Sequence, residues 1–258
     1  MHTNTSKTDN YVLAVNAMGK SPIVLVCEHA TNFIPVSFDR LGLSDTDLES
    51  HIAWDPGAMG VAQCLSNKLD APLIASSVSR LVYDCNRPPT ALDAMPARSE
   101  IIDIPGNRNL SQAERAARTE AYYRPFQTTL RSAIQQIANP IIVTIHSFTP
   151  VFHGEQRSVE IGILHDSDAR LADALLDLAQ QQTGAVVRRN EPYGPEHGVT
   201  HTLQKHAIED GRLNVMLEIR NDLIETPEQQ MTMAKTLAHW ILDACAQLNV
   251  SGFVQCQR

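Results

Sequence analysis

Short apolar runs along this chain alternate with longer stretches that have helical spacing. The run SPIVLVCEH at residues 21–29 is continuously apolar after Ser-Pro, a pattern typical of a strand that helices bury on both faces. PIIVTIHS at 140–147 repeats this pattern. Further β-rich runs predict additional strands at 72–76, 80–86, 158–165, 185–190 and 213–222. Helices are predicted between them at 57–69, 111–137, 167–183, 198–210 and 226–248.

Two prolines define how individual helices begin or break. The last predicted helix has a clear start, because Thr226 can cap it, Pro227 suits its first position and Gln229 completes a capping box. Pro125 lies inside the second predicted helix, where it removes a backbone donor. We therefore expect a kink or break near residues 121–124.

The alternation of strands and helices predicts the fold class. It indicates a single α/β domain over residues 1–258, with a core at about 22–248 and a mixed, mostly parallel sheet flanked by helices. No internal repeat or low-complexity linker divides the chain. Residues 88–110 are rich in proline and lack periodicity, so we expect a long irregular loop of the kind that is often functional.

Charge and cysteine usage narrow the classes of function. A net charge of −8 over 258 residues leaves no basic surface for nucleic-acid phosphates, which favours a small-molecule or peptide ligand. The five cysteines form no CxxC pair, which fits reduced thiols in a cytoplasmic protein. No apolar segment approaches the roughly 18–20 residues that cross a bilayer, so we expect no membrane association. The oligomeric state is left open.

Polar residues stand where the buried strands end. His29 and His146 each follow an apolar run directly, and the carboxyl ends of strands in open α/β sheets are where ligands bind. Paired imidazoles on rigid strands suit Zn²⁺, which takes nitrogen ligands at about 2.0–2.1 Å, although another divalent metal is possible. The alternative is a pair of hydrogen-bonded histidines at the edge of the core.

Three residues are candidates for a third metal ligand. His51 ranks first because it could face the same pocket as His29. Asp55 lies four residues later, on the same face if the segment is helical, but it could instead cap the helix that begins at Pro56. Glu28 points to the opposite face from His29 if the strand is extended, so it would need a twist to share the metal.

The stretch SRLVYDCNRPP at 79–89 offers donors for an anionic ligand. Asn86 and Arg87 follow a predicted strand, and a guanidinium group can hold a carboxylate with two hydrogen bonds. Arg87 could instead pair with Asp84 or Asp93. Arg80 could polarise a carbonyl or bind a second carboxylate, or it could simply be solvated.

Five motifs in order resemble the N-formylglutamate amidohydrolase family, a distant relation of zinc carboxypeptidases and aspartoacylases. The resemblance covers residues 22–245, and SRLVYDCNRPP is its most specific element. The motifs are CEHATNFIP, HIAWDPGA, SRLVYDCNRPP, IHSFTP and MLEIRND. It implies a zinc carboxypeptidase-like (phosphorylase/hydrolase-like) fold, a bound zinc ion and a place in histidine degradation. It also implies hydrolysis of the N-acyl amide of an acidic amino acid, such as N-formyl-L-glutamate to formate and glutamate.

The resemblance also assigns roles to residues. His29 and His146 resemble metal ligands, Asn86 and Arg87 the carboxylate clamp, and Glu218 the general base. The base would take a proton from water as it attacks the amide carbonyl, and return it to the leaving amine.

Two further arginine and histidine positions complete the candidate set. Arg80 or Arg220 could support the oxyanion, and Arg220 could alternatively orient Glu218 through an ion pair. His201 lies on a predicted helix face with His197 and could bind substrate at the pocket mouth, or it could belong to an ordinary solvated face.

The chain departs from relatives tied to histidine degradation at two motifs. It has Glu28-His29 where they have Pro-His, and HIAW at 51–54 where they have Asp-Thr-Asp-Trp. The acyl group is therefore open. The alternatives are a deacylase or carboxypeptidase-type hydrolase of another N-acyl amino acid or peptide, and a non-catalytic protein that binds acidic metabolites.

Overall fold

The strands form one large sheet and two small hairpins in a computed structural model that describes residues 11–250. The strands in chain order are β1 Val12–Val15, β2 Ile23–Cys27, β3 Leu73–Ser76, β4 Arg98–Ser99, β5 Ile102–Asp103, β6 Ile141–Phe148, β7 Val151–Phe152, β8 Glu155–Gln156, β9 Ile161–Leu164, β10 Val187–Arg189 and β11 Asn214–Arg220. The seven-stranded sheet has the order β1-β3-β2-β6-β11-β9-β10.

Most neighbouring strands in this sheet run parallel. β3, β2, β6 and β11 form a parallel centre, and β9 pairs with β10 in parallel as well. β1 is antiparallel to β3, and β9 is antiparallel to β11. The predicted mixed, mostly parallel α/β sheet is confirmed.

Helices cover both faces of the sheet. They are α1 Asp45–Glu49, α2 Ala58–Leu69, α3 Gln112–Arg118, α4 Arg124–Gln135, α5 Arg170–Gln182, α6 His201–His206 and α7 Pro227–Gln247. Side chains of β2 alternate between two apolar cores: Leu25 belongs to the core that includes α2, α5 and α7, whereas Val26 belongs to the core that includes α4 and the buried ring of Tyr83. β2 and β6 are buried along their whole length, as their apolar runs predict.

The predictions from proline are confirmed. Thr226 caps α7, and its side chain accepts a hydrogen bond from the Gln229 backbone in a capping box. A π-helical turn at Thr119–Tyr123 separates α3 from α4 just before Pro125. Proline has no N–H to donate and its ring crowds the preceding turn, so a widened turn accommodates it.

One strand prediction is wrong, and one strand, β1, is not predicted from the sequence. Residues 80–86 form turns rather than a strand: Val82 and Tyr83 are apolar because they are buried, while their backbone N–H groups bond back to Ser79. β1 lies at the edge of the sheet and has no buried run to reveal it, since Leu13 and Ala14 are exposed. Within residues 11–250, no helix is both long enough and apolar enough to cross a membrane.

Candidate active site

The carboxyl ends of β2, β6 and β11 bring the predicted catalytic side chains together. His29 follows β2 after a short turn, and His146 lies near the end of β6. Glu218 of β11 is the register partner of His146, so the two side chains lie on the same face of the sheet. All three are at most 5% exposed.

Three side-chain atoms form a compact triangle suited to a metal ion. His146 Nδ1 lies 3.2 Å from His29 Nδ1 and 2.9 Å from Asp55 Oδ2, and His29 Nδ1 lies 3.3 Å from the same Asp55 oxygen. Ligand atoms about 2.0–2.1 Å from one zinc ion in tetrahedral geometry lie about 3.3 Å apart. Two neutral nitrogen donors and one carboxylate oxygen are also a donor set that zinc accepts.

A carboxylate lies behind each imidazole of this triangle. His29 Nε2 hydrogen-bonds Asp84 Oδ1 at 2.8 Å, and His146 Nε2 lies 3.1 Å from Glu28 Oε2, although the direction of that contact is not that of a hydrogen bond. Such outer carboxylates fix the ring orientation of ligating histidines and raise their basicity. Both Nδ1 atoms are thereby turned inward.

Arg80 connects the two carboxylates on the His29 side. Its guanidinium group donates to Asp55 Oδ1 at 3.3 Å and to Asp84 Oδ2 at 3.1 Å. The side chain is 29% exposed, so it also faces the cavity. Arg80 therefore fixes the Asp55 oxygen that points away from the histidines, and leaves Oδ2 directed at them.

The site carries an excess of buried negative charge. Glu28, Asp55, Asp84 and Glu218 are each at most 5% exposed, and Arg80 is a cation that contacts two of them, Asp55 and Asp84. Burial opposes ionisation, yet His29 and Arg80 lower the pKa of Asp84 well below its usual range. For His146, burial opposes protonation, but Glu28 and Asp55 raise the pKa well above the usual range. A divalent cation at the triangle would balance this charge.

Glu218 has an environment suited to a general base. Burial, reinforced by the nearby Asp55 carboxylate, raises the pKa of Glu218 to about 7. Its Oε2 atom is buried without a hydrogen-bond partner among the described residues. A carboxylate with an uncommitted oxygen and a pKa near neutrality is suited to accepting and returning a proton.

These residues form the floor of a cavity of about 380 Å³. One wall consists of the aromatic rings of Phe148, Phe152 and Tyr193. Another part of the lining comes from the proline-rich loop at 88–110 and its β4–β5 hairpin, and comprises Asp93, Pro96, Arg98, Ser99 and Glu100. The irregular loop thus contributes directly to the site.

The structure brings Asp55, and not His51, to the histidine pair. The imidazole of His51 forms a short contact with Glu100 in the cavity wall. Asp55 does not cap α2, whose N-cap is Gly57; its side chain accepts from the Ser147 backbone N–H instead. Ranking His51 first was therefore wrong for this arrangement, and Glu28 contacts the outer side of His146.

Two other candidates lie outside the cavity lining. Arg220 pairs with Glu160 and with Asp222, which follows it in the turn after β11. His201 hydrogen-bonds the phenol of Tyr123 at 2.8 Å behind the cavity. Both side chains are engaged by these partners, and their roles in catalysis and substrate binding stay predictions.

Asn86 and Arg87 line the cavity, but their donors are engaged by the protein itself. Asn86 binds the Val199 carbonyl and the Thr202 N–H, at 2.5 and 3.0 Å. Arg87 donates to Asp93 Oδ2 at 2.8 Å and to the Gly198 carbonyl at 2.8 Å. The carboxylate clamp stays a prediction, and the alternative pairing of Arg87 with Asp93 is present.

Sequence reasoning missed Asp84 and Tyr193 as members of the site. Asp84 was considered only as a partner for Arg87, since nothing in its spacing from His29 indicates contact across 55 positions. Tyr193 lies in the NEPYGP segment, whose glycine and prolines indicate a loop but not which side chain enters the cavity.

Comparisons with known proteins give a family match and several similar structures. Residues 21–225 match the family model of N-formylglutamate amidohydrolase. A structure of a gene product from Agrobacterium tumefaciens is 52% identical, with a TM-score of 0.92, over 94% of this chain and 97% of that one. No functionally curated protein gave a significant match.

Two more distant structures are also similar in shape. An N-formylglutamate amidohydrolase from Ralstonia eutropha is 19% identical, with a TM-score of 0.61, over 93% of this chain and 98% of that one. An aspartoacylase family protein from Mesorhizobium loti is 12% identical over 95% and 62% of the two chains, and its TM-score of 0.40 is too low to support an argument. The Ralstonia eutropha structure shows that the two chains share a fold.

Proposed function

Because the chain belongs to the N-formylglutamate amidohydrolase family, a family of hydrolases acting on amide bonds, we propose that it hydrolyses the N-formyl amide of N-formyl-L-glutamate. The products are formate and glutamate. The observation that carries the proposal is the buried triangle of His29, Asp55 and His146 beside the uncommitted oxygen of Glu218.

His29, Asp55 and His146 are the residues that would hold a zinc ion. When bound, such an ion supplies Lewis acidity, which polarises a carbonyl and makes water easier to deprotonate. Glu28 and Asp84 orient the two imidazoles for this role, and Arg80 holds Asp55.

Glu218 performs the proton transfers in this proposal. It takes a proton from the water that adds to the formyl carbon, and it returns that proton to the amide nitrogen as the C–N bond breaks. Arg80 is the guanidinium group beside the cluster, and we assign it the stabilisation of the oxyanion in addition to its hold on Asp55.

Release of formate from N-formyl-L-glutamate, with and without a chelator, tests the proposal. We expect formate production that stops when the chelator removes the metal and returns when zinc is added back. N-acetyl-L-glutamate and a dipeptide ending in glutamate belong in the same assay, since preference for either would identify another deacylase or a carboxypeptidase. Binding of these compounds without turnover of any would indicate a metabolite-binding protein and contradict the proposal.

The outer carboxylate of Glu28 gives a separate prediction. Glu28→Gln keeps the size of the side chain but removes the charge behind His146. We expect zinc affinity to fall by about 10–100-fold, as for other carboxylates that support ligating histidines. Competition with a chromophoric chelator measures this. Unchanged zinc affinity, in a variant with the wild-type melting temperature, would remove Glu28 from the account.

A further inference from the structure

An acidic substrate requires a positive group in a site whose floor is strongly acidic. The arginines that line the cavity are already paired with carboxylates. Arg80 contacts Asp55 and Asp84. Arg87 contacts Asp93 at 2.8 Å, and Arg98 lies 3.9 Å from Asp103. The charges of Arg80 and Arg87 are therefore largely neutralised before any substrate arrives, and the charge of Arg98, whose side chain is 61% exposed, is screened by water.

Arg157 differs from these arginines. Its guanidinium carbon lies 4.4 Å from the ring centre of Phe152, 5.0 Å from that of Tyr193 and 5.5 Å from that of Phe148. These are the three rings of the aromatic wall of the cavity. Among the residues that the structure describes, no carboxylate forms an ion pair with Arg157.

The aromatic rings stabilise this cation without neutralising it. Ring faces attract a guanidinium group through their quadrupole, but they carry no net charge. Arg157 donates to the Thr149 carbonyl at 3.3 Å, which leaves further N–H groups of its five. Arg157 is partly exposed and is not itself among the residues that line the cavity, but its guanidinium group lies directly against three rings that are.

We propose that Arg157 is the specificity-determining residue for the acidic side chain of the substrate, whose carboxylate it binds at the aromatic wall. This inference rests on the proposed function for its substrate class. The position of Arg157 also selects which carboxylate it meets. It contacts the wall and not the floor residues, so the distal carboxylate lies nearer to it than the α-carboxylate beside the scissile amide.

A purely structural role for Arg157 makes a different prediction. The guanidinium group connects the end of β6, the β7–β8 hairpin and the segment carrying Tyr193. If it served only to hold these pieces together, its loss would weaken the binding of acidic and neutral substrates equally. Discrimination between glutamate and glutamine side chains separates the two roles, because these side chains have the same shape and differ in charge.

Calorimetric binding of N-formyl-L-glutamate and N-formyl-L-glutamine provides the test. The protein carries Glu218→Gln to prevent turnover, so binding is measured whether or not the chain is an active hydrolase. Added to that background, Arg157→Met should raise the Kd for N-formyl-L-glutamate by about 10–100-fold, the range for a hydrogen bond to a charged group. The Kd for N-formyl-L-glutamine should change by less than about threefold. Arg157→Lys should retain part of the preference, because it retains the charge.

Two further variants complete the design. Arg188→Met, which removes an exposed arginine from β10, should leave the preference unchanged. Arg87→Met tests the clamp predicted from the sequence. Loss of the preference in Arg87→Met but not in Arg157→Met would overturn the inference. So would an equal loss for both ligands in Arg157→Met, or no binding of N-formyl-L-glutamate by the parent.

The outcome is independent of the formate assay. An Arg157-dependent preference for the acidic ligand in a protein that releases no formate would support the inference and contradict the proposed function. Formate release by a protein whose preference for the acidic ligand survives Arg157→Met would support the proposed function and contradict the inference.

Discussion

Replacing Glu218 with glutamine should lower the turnover of N-formyl-L-glutamate by about 10²–10⁴-fold, the contribution expected of a general base. The amide side chain keeps the shape of the carboxylate but cannot take a proton from water. Glu218 is not part of the donor triangle, so bound zinc should stay at the wild-type level. Steady-state formate release, together with metal content per chain, measures both effects.

Glu225→Gln is the matched control for this change, since Glu225 is exposed and lies outside the cavity lining. It should leave turnover and zinc content unchanged. If Glu218→Gln retained near wild-type turnover, the proton would be taken by another group and the base assignment would be wrong. If it lost zinc as well, Glu218 would have to be counted with the ligands.

Asp55→Asn and His146→Ala should each bring the zinc content from about one ion per chain to below about a tenth, because each removes one of three donors. Activity should be lost in parallel. His51→Ala should keep its zinc, since His51 contacts Glu100 and not the triangle. Elemental analysis after gel filtration, with circular dichroism to confirm folding, distinguishes these outcomes.

Asp55 and His51 are a matched pair for testing which residue is the third metal ligand. Both residues belong to the motif HIAWDPGA and both line the cavity. Zinc lost from His51→Ala and kept in Asp55→Asn would show that the ligand set differs from the triangle. Zinc lost from neither would show that the ion, if present, lies elsewhere.

The parts of the site that the sequence predicted lie on the rigid central strands. The apolar runs of β2 and β6 determine both where these strands end and that their ends meet at one edge of the sheet. His29 and His146 could therefore be placed together from periodicity alone. Glu218 needed the order of the motifs as well, because a glutamate near a strand end has many structural uses.

The parts that could not be predicted depend on turns. The backbone from His29 to Asp55 is irregular except for a 3-10 segment at Val36–Gly42 and α1. The Asp55 N–H donates to the His29 carbonyl, which brings the Asp55 carboxylate to the imidazole. Spacing within the motif could not show whether Asp55 or His51 lies beside the two histidines. Residues 80–86 likewise have the composition of a strand, but they fold into turns that place Arg80 and Asp84 at the site.

Hydrogen bonds between distant parts of the chain explain the remaining differences between the predicted and the observed site. Asn86 and Arg87 contact residues more than 100 positions away, and their donors bind backbone carbonyls that have no signature in the sequence. The carbonyls belong to the segment that also carries Tyr193 to the aromatic wall. The local sequence shows that Asn86 and Arg87 can donate hydrogen bonds. It cannot show whether a ligand or a distant backbone carbonyl accepts them.

The central claim is that His29, Asp55 and His146 bind a single divalent ion. A crystal of the zinc-loaded protein, measured on both sides of the zinc absorption edge, tests it directly. The account predicts one anomalous peak at about 2.0–2.1 Å from His29 Nδ1, His146 Nδ1 and Asp55 Oδ2 together. No peak inside the triangle, or a peak between His51 and Glu100, would contradict it.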